Sequence, residues 1–323
     1  MSERKRSIRE LLGVSTGAPV DLGAIDPRST PGLPGPDVTG ADPRRWARER
    51  VRELGDDLAV RQEMLFATAK VRPAAARRVL VVLQAMDCGG KDGTIRRVAG
   101  TMNPLGLHIR SFGPPTDEER RHDFLWRIRR ALPAPGHVGV FNRSHYEDVL
   151  VPRVESLLPE RTWRARYDEI NAFERELAES GTTLVKVFLH ISAGEQRERL
   201  LKRLTDPRKH WKYNPADLDA RARWADYQAA YAEALARCGT PHAPWSVVPA
   251  DRKWYRDWAV VHLLRETFAD LSLSYPAADF DVERERVRLL ADGGGGTALA
   301  GTLAGSSGSV VSTGAPAGKV NNS

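Results

Sequence analysis

Residues 79–94 read VLVVLQAMDCGGKDGT and carry side chains suited to handling phosphate. An apolar run at 79–83 gives way to a polar loop with Asp87, Gly89, Gly90 and Lys91, and a helix-compatible segment follows. Strand, tight turn, lysine and helix in that order make a phosphate-binding loop. Its backbone N–H groups point inward and the helix N-terminus adds partial positive charge. Gly89, Gly90 and Gly93 let the backbone approach phosphate oxygens, and Lys91 bridges them as a mobile point charge. Two positions depart from the usual form. Ala85 stands where the first glycine normally is, and Asp92 stands where Ser or Thr normally follows the lysine, with Thr94 two residues further on. Without that hydroxyl, Asp87 becomes the candidate ligand for Mg²⁺, directly or through water, because carboxylates suit this ion. A strand–turn–helix connection could use glycines for turning alone; the coincidence of lysine, glycines and strand favours phosphate.

A second group, FNRSHYED at 141–148, follows an apolar run at 138–141. Ligands of open parallel sheets bind just outside the carboxyl ends of strands. Arg143 there is suited to stabilise charge on a transferring phosphoryl group, and Glu147 and Asp148 form an acidic cluster suited to a metal-bridged phosphate. The plainer reading is a surface loop of mixed charge. Ser144 beside His145 does not suggest a hydrolase, since neighbours rarely meet as nucleophile and base and no G-x-S-x-G surrounds them. The segment TDPRKHWKYN at 205–214 is basic and aromatic. Arg208, Lys209, His210 and Lys212 could close over an anion and exclude water, with Trp211 and Tyr213 anchoring the loop or stacking on a nucleotide. A solvated basic connector fits the composition equally well. Arg127 either reaches a nucleotide phosphate or pairs with a carboxylate. Trp224, Tyr227 and Tyr231 fall at helical spacing and read as core.

These residues need a scaffold, and the pattern supplies one. Helical periodicity runs from 42 to about 68. A short strand is expected at 105–112, and Thr116 with Glu119 makes a capping box opening a helix to about 132. Further strands are expected at 138–141, 184–189 and 245–250. Helices are expected at 161–180, from Ser192 to about 204, from Asn214 and Pro215 to about 238, and at 254–269. Short apolar strands alternating with helices predict an α/β sandwich with a mostly parallel sheet covered on both faces. Residues 13–43, rich in Gly, Pro, Asp and Ser, read as an extended, irregular stretch. The Gly-, Ala-, Ser- and Thr-rich tail at 293–323 reads as disordered.

Bulk properties set limits. With 323 residues, 41% hydrophobic and 28% charged, the chain reads as a soluble globular protein. No apolar run approaches the roughly 20 residues of a membrane span, and the N-terminus lacks the apolar core of a secretory signal. Two cysteines cannot build a disulfide framework, so a cytoplasmic setting is expected. A net charge of +7 fits an anionic partner, although a basic surface by itself selects none.

Taken together, the motifs AMDCGGKDGTIRRV (85–98), HDFLWRI (122–128), FNRSHYEDVLVPRV (141–154), RLTDPRKHWKYNPADLDAR (203–221) and APWSVVPADRKWYRDWAV (243–260) resemble the polyphosphate kinase 2 family. The resemblance covers roughly residues 20–272. It implies a P-loop kinase-like three-layer sandwich with a helical lid at about 203–221. The domain would run over 44–272, after an N-terminal arm at 1–43 and before a C-terminal extension at 273–292. It implies Asp87, Lys91 and Arg143 as catalytic residues. Phosphate and nucleotide contacts would come from Gly89, Gly90, Gly93, Thr94, Arg127, Asn142, Tyr146, Arg203, Arg208, Lys209 and Lys212. Many members of the family have Asp where this chain has Asn142, so Glu147, with Asp148 as second choice, joins Asp87 as the metal site. The FNRSHYED form resembles the class III subgroup, which phosphorylates AMP and ADP. The implied reaction is reversible transfer of a terminal phosphoryl group from inorganic polyphosphate to ADP or AMP with Mg²⁺, or Mn²⁺ in its place. Expected partners are polyphosphate, adenine nucleotides and further copies of the chain, with neither nucleic acid nor membrane. Two alternatives use the same loop: an ATP-dependent nucleotide or small-metabolite kinase, and a non-catalytic polyanion-binding protein.

Overall fold

The computed structural model describes residues 6–292. The tail read as disordered, 293–323, lies outside the described residues. Five strands form one sheet: β1 (Arg78–Gln84), β2 (Leu107–Ser111), β3 (Val138–Asn142), β4 (Thr182–His190) and β5 (Trp245–Pro249). Their order is β2-β3-β1-β4-β5 and every pairing is parallel, so the sheet expected to be mostly parallel is wholly so. Val81 of β1 lies level with Val140 of β3 and Val185 of β4. β1, β3 and β4 are buried almost throughout, as strands covered on both faces must be.

The helices are α1 (Ile8–Leu12), α2 (Pro36–Thr39), α3 (Pro43–Val71), α4 (Lys91–Arg97), α5 (Asp117–Arg120), α6 (Trp126–Arg130), α7 (Glu147–Val154), α8 (Glu160–Glu179), α9 (Ala193–Thr205), α10 (Ala216–Ala222), α11 (Trp224–Arg237), α12 (Lys253–Asp270) and α13 (Val282–Asp292). α12 packs on β4, β5, α3 and α4, while α8 packs on β4 and on α7, which meets α11. Two helical layers thus enclose the sheet. From β1 the chain builds toward β2 and β3, then returns past β1 to β4. The reversal leaves a crevice at the carboxyl ends of β1, β3 and β4, where such sheets place ligands. No helix among the described residues is long and apolar enough to cross a membrane.

Three segments differ from their sequence-based expectation. The irregular N-terminal stretch carries short helices, and Ile8, Leu12 and Leu22 join the core. Val14 N–H donates to the Trp245 carbonyl (2.9 Å), so the arm covers the outer edge of β5. The helix expected from 116 to 132 is two pieces. Its capping box forms, but Asp123 accepts from the Leu125 and Trp126 amides, and a side chain that bonds local backbone competes with helix continuation. The helix expected from Asn214 to about 238 also breaks, at Arg223, whose guanidinium is drawn to Glu155 and Asp226. The segment 207–212 winds into a 3₁₀ turn capped by Asp206.

Among the described residues, 6–276 form one unit and 277–292 belong to a second. Within the second, α13 is started by Asp281, which accepts from the Arg284 amide (3.0 Å), and it has no buried residue.

Candidate active site

The loop after β1 is shaped by two left-handed residues, Cys88 at φ 64° and Gly90 at φ 107°. The second is a conformation that glycine adopts without steric cost. Gly89 N–H closes the turn on the Met86 carbonyl (2.9 Å). Lys91, at the start of α4, donates to the Ala85 carbonyl (2.9 Å), and the Tyr231 hydroxyl from α11 donates to the same oxygen (3.1 Å). Burial, helped by the nearby Arg143 charge, lowers the Lys91 ammonium to about 8, while Asp87 and Glu147 act to raise it. The first-turn amides of α4 have no intrahelical acceptor, and Gly90 supplies no side-chain cap.

A collar of arginines holds this loop from outside, and none was singled out in the sequence. Arg199 of α9 donates to the carbonyls of Cys88 (2.9 Å) and Gly89 (3.2 Å) and to those of Ala250 (2.6 Å) and Asp251 (3.2 Å). It ties the loop to the end of β5. Glu195 steadies it at 2.7 Å, while the Glu195 amide donates to the Ser192 hydroxyl that caps α9 (3.0 Å). Gln196 donates to the Asp87 carbonyl (3.0 Å). Arg256 of α12 is fully buried and doubly bonded to Asp257, which also accepts from Arg97. A Cβ at Gly90 would lie 1.8 Å from Arg256 Nη1, and one at Gly93 would lie 2.8 Å from Arg97 Nη2. These glycines therefore make room for guanidinium groups. The signal lay in basic residues of amphipathic helices, where solvent exposure is the default expectation.

The turn after β3 faces the loop. Arg143 sits at φ 64°, a strained conformation for a residue with a side chain, and donates to Asp87 Oδ1 (2.6 Å) and Glu147 Oε2 (3.4 Å). These carboxylates push its pKa upward. Gln84 is oriented so that its amide nitrogen donates to Glu147 Oε1 (2.9 Å) while its oxygen accepts from the Ser144 hydroxyl (3.1 Å). Burial raises the Glu147 pKa. Asn142 donates to Asp92 Oδ1 (2.9 Å), and Lys212 reaches from the 3₁₀ turn at 207–212 to Asp92 Oδ2 (3.1 Å). Arg203 holds that turn's shape through the Lys212 carbonyl (2.7 Å) and Asp217 (3.0 Å).

These groups enclose a cavity of about 620 Å³ lined by eleven Lys and Arg side chains against three Asp. Asp87, Gly89, Gly90, Lys91, Gly93, Asn142, Arg143, Arg203, Lys209 and Lys212 all line it. The lining also includes Arg96, Lys202 and Lys253, which sequence reasoning did not single out. Four expected contacts lie elsewhere. Tyr146 is buried in the core, bonded to Glu174 and Lys186. Arg127 is buried against Asp148 (2.9 Å) and the Gly113 carbonyl (2.9 Å), so its carboxylate-pairing alternative is the one realised. Arg208 is exposed and folds back on Asp206 (3.0 Å). Thr94 is buried behind the loop, its hydroxyl without a protein partner. Trp211 is 78% exposed and donates to the Arg208 carbonyl (3.0 Å).

No cluster of three or more His, Cys, Asp or Glu able to hold a metal occurs among the described residues. Asp87 lines the cavity and fits an ion that takes one carboxylate and completes its shell with phosphate oxygens and water; Glu147 lies behind Arg143, bonded to it and to Gln84, and is not among the cavity's lining residues.

The chain is 47% identical over 251 residues to an AMP/ADP-polyphosphate phosphotransferase of Meiothermus ruber, covering 77% of this chain and 92% of that one. It is 40% identical over 254 residues to an ADP-polyphosphate phosphotransferase of Rhodopseudomonas palustris, covering 74% and 86%. The crystal structure of polyphosphate kinase 2 from Arthrobacter aurescens superposes with a TM-score of 0.83 at 46% identity, covering 90% of this chain and 98% of that one. The family model for polyphosphate kinase 2 matches residues 50–274, the span that carries the loop, the Arg143 turn and the arginine collar, and the chain belongs to that family.

Proposed function

We propose that this chain is a Mg²⁺-dependent phosphotransferase that moves the terminal phosphoryl group of inorganic polyphosphate to ADP or AMP. The observation that carries the reading is the composition of the cavity: eleven Lys and Arg side chains against three Asp around a phosphate loop, a net positive lining suited to a polyanion. A polyanion entering it exchanges its counter-ions for Lys and Arg. A terminal phosphate oxygen of the nucleotide attacks the end phosphorus in line. The bond from that phosphorus to the chain breaks, and the shortened polyphosphate leaves. Lys91 and Arg143 offset charge on the transferring group, with Lys209 and Lys212 excluding water from above. Asp87 would hold Mg²⁺, or Mn²⁺ with the same donor, which when bound draws the two anions together. Positioning and charge carry the reaction, so no nucleophilic side chain is needed.

The test is to mix protein, Mg²⁺, long-chain polyphosphate and ADP or AMP, and to follow ATP. Turnover only when ATP is the donor would overturn this reading in favour of an ATP-dependent kinase. Binding without turnover from either donor would favour a polyanion-binding protein.

A further inference from the structure

Between Arg143 and Glu147 lie Ser144, His145 and Tyr146, all buried with at most 1% exposure. They do not reach the cavity. Beneath them sits a buried polar network. Lys186 Nζ of β4 donates to Glu174 Oε2 (2.6 Å), the Tyr146 hydroxyl (2.9 Å) and the Cys238 carbonyl (2.6 Å). That uses all three ammonium protons. Glu174 Oε1 of α8 accepts from the Tyr146 hydroxyl (2.9 Å) and faces His145 Nε2 (3.3 Å). Neither Lys186 nor Glu174 has an exposed side-chain atom. Burial opposes the Glu174 charge, but Lys186 and His145 hold its pKa below the usual value.

A buried ion pair is a weak source of stability, because desolvation offsets its attraction and apolar residues often replace it without loss. Its location gives it another use. The left-handed Arg143 is strained, and such a residue persists only where its surroundings over-determine it. On one side its N–H is fixed to the Leu83 carbonyl (3.1 Å). On the other, Tyr146 and His145 are pinned by the network. The alternation of half-buried Arg143, buried 144–146 and Glu147 at the start of α7 then sets Arg143 between the carboxylates of Asp87 (2.6 Å) and Glu147 (3.4 Å).

The geometry assigns Lys186, Glu174, Tyr146 and His145 as positioning residues that fix the Arg143–Glu147 turn in its transfer geometry. The assignment rests on the phosphoryl-transfer reading above. Tyr146→Phe removes one hydroxyl, and the charge-balanced pair Lys186→Met with Glu174→Leu removes the network without leaving a buried charge. Each is measured for kcat and for KM in polyphosphate-driven ATP formation, alone and with Arg143→Ala. Amide hydrogen exchange across 143–147 is followed without substrate. The expected result is a loss of kcat of about 10- to 100-fold, nucleotide KM little changed, and faster exchange confined to the turn. In the Arg143→Ala background the further loss should vanish, because residues acting as a unit are non-additive. Unchanged kcat with a lowered unfolding midpoint, or full additivity with Arg143→Ala, would overturn the assignment and leave a purely structural role. If the wild type makes no ATP from polyphosphate, the transfer reading fails, while unchanged exchange at 143–147 in the variants would separately overturn the positioning role.

Discussion

Raising the pH from about 7 to about 9 should discharge Lys91 in the free protein. Its ammonium is buried near Arg143 and titrates at about 8, against 10.5 when solvated. The protonated fraction then falls from about nine-tenths to about one-tenth, so kcat/KM for polyphosphate should drop about tenfold. Bound phosphate restores the charge, so kcat at saturation should fall later. Stability should move the opposite way. Between about 8 and 10.5 the unfolded chain keeps this proton while the folded protein has lost it, so unfolding free energy rises with pH across that window. The burden below the window is on the order of 3 kcal/mol. The assays are initial rates against pH at saturating Mg²⁺, and unfolding midpoints over the same range. Lys91→Arg should remove the alkaline limb, and Lys91→Met should remove the stability rise. Lys253, also lowered by burial and Arg199, is the control: Lys253→Arg should retain the limb. A wild-type profile flat to about pH 9.5, or an unaltered limb in Lys91→Arg, would refute the reasoning.

Gly90→Ala should cost at least about 1–2 kcal/mol for its left-handed backbone and should also displace Arg256, giving a lower unfolding midpoint and slower transfer; wild-type values for both would show that the 1.8 Å approach is not a constraint. Asp87→Asn should lower the rate by about 10²–10³-fold and raise the Mg²⁺ concentration needed for half-maximal activity, while circular dichroism stays that of the wild type; an active variant with an unchanged metal requirement would remove Asp87 from the metal site. Raising salt from about 50 to about 200 mM should weaken polyphosphate binding by about 10- to 100-fold, in line with release of several counter-ions, and a salt-independent KM would contradict a polyanion held by the cationic cavity.

Much of this protein is local in origin. The strand–glycine–lysine segment, the Thr116 and Ser192 caps and the apolar runs of β1, β3, β4 and β5 are written in residues near one another in the chain. Backbone conformation, capping and two-faced burial are decided at that range, and the cationic character of the 205–214 segment is a matter of composition. What sequence could not show was which distant charge would meet which. Arg199 and Arg256 look like ordinary helix cations until α9 and α12 bring them onto the loop, 110 and 166 residues from Gly89 and Gly90 in sequence. Tyr146 sits in a site motif, yet it lies in the core, where Glu174 and Lys186 are its hydroxyl partners. Lys186, a charge inside an apolar strand, was a legible sign that a buried partner must exist. Its identity was not legible, since Glu174 is selected only by how α8 lies across β4. The chain thus determined by itself that a phosphate loop, a facing arginine and a basic segment exist. Tertiary structure alone decided which cations reach the cavity and which are consumed in holding it, because long-range pairing of charges depends on packing geometry and not on spacing along the sequence.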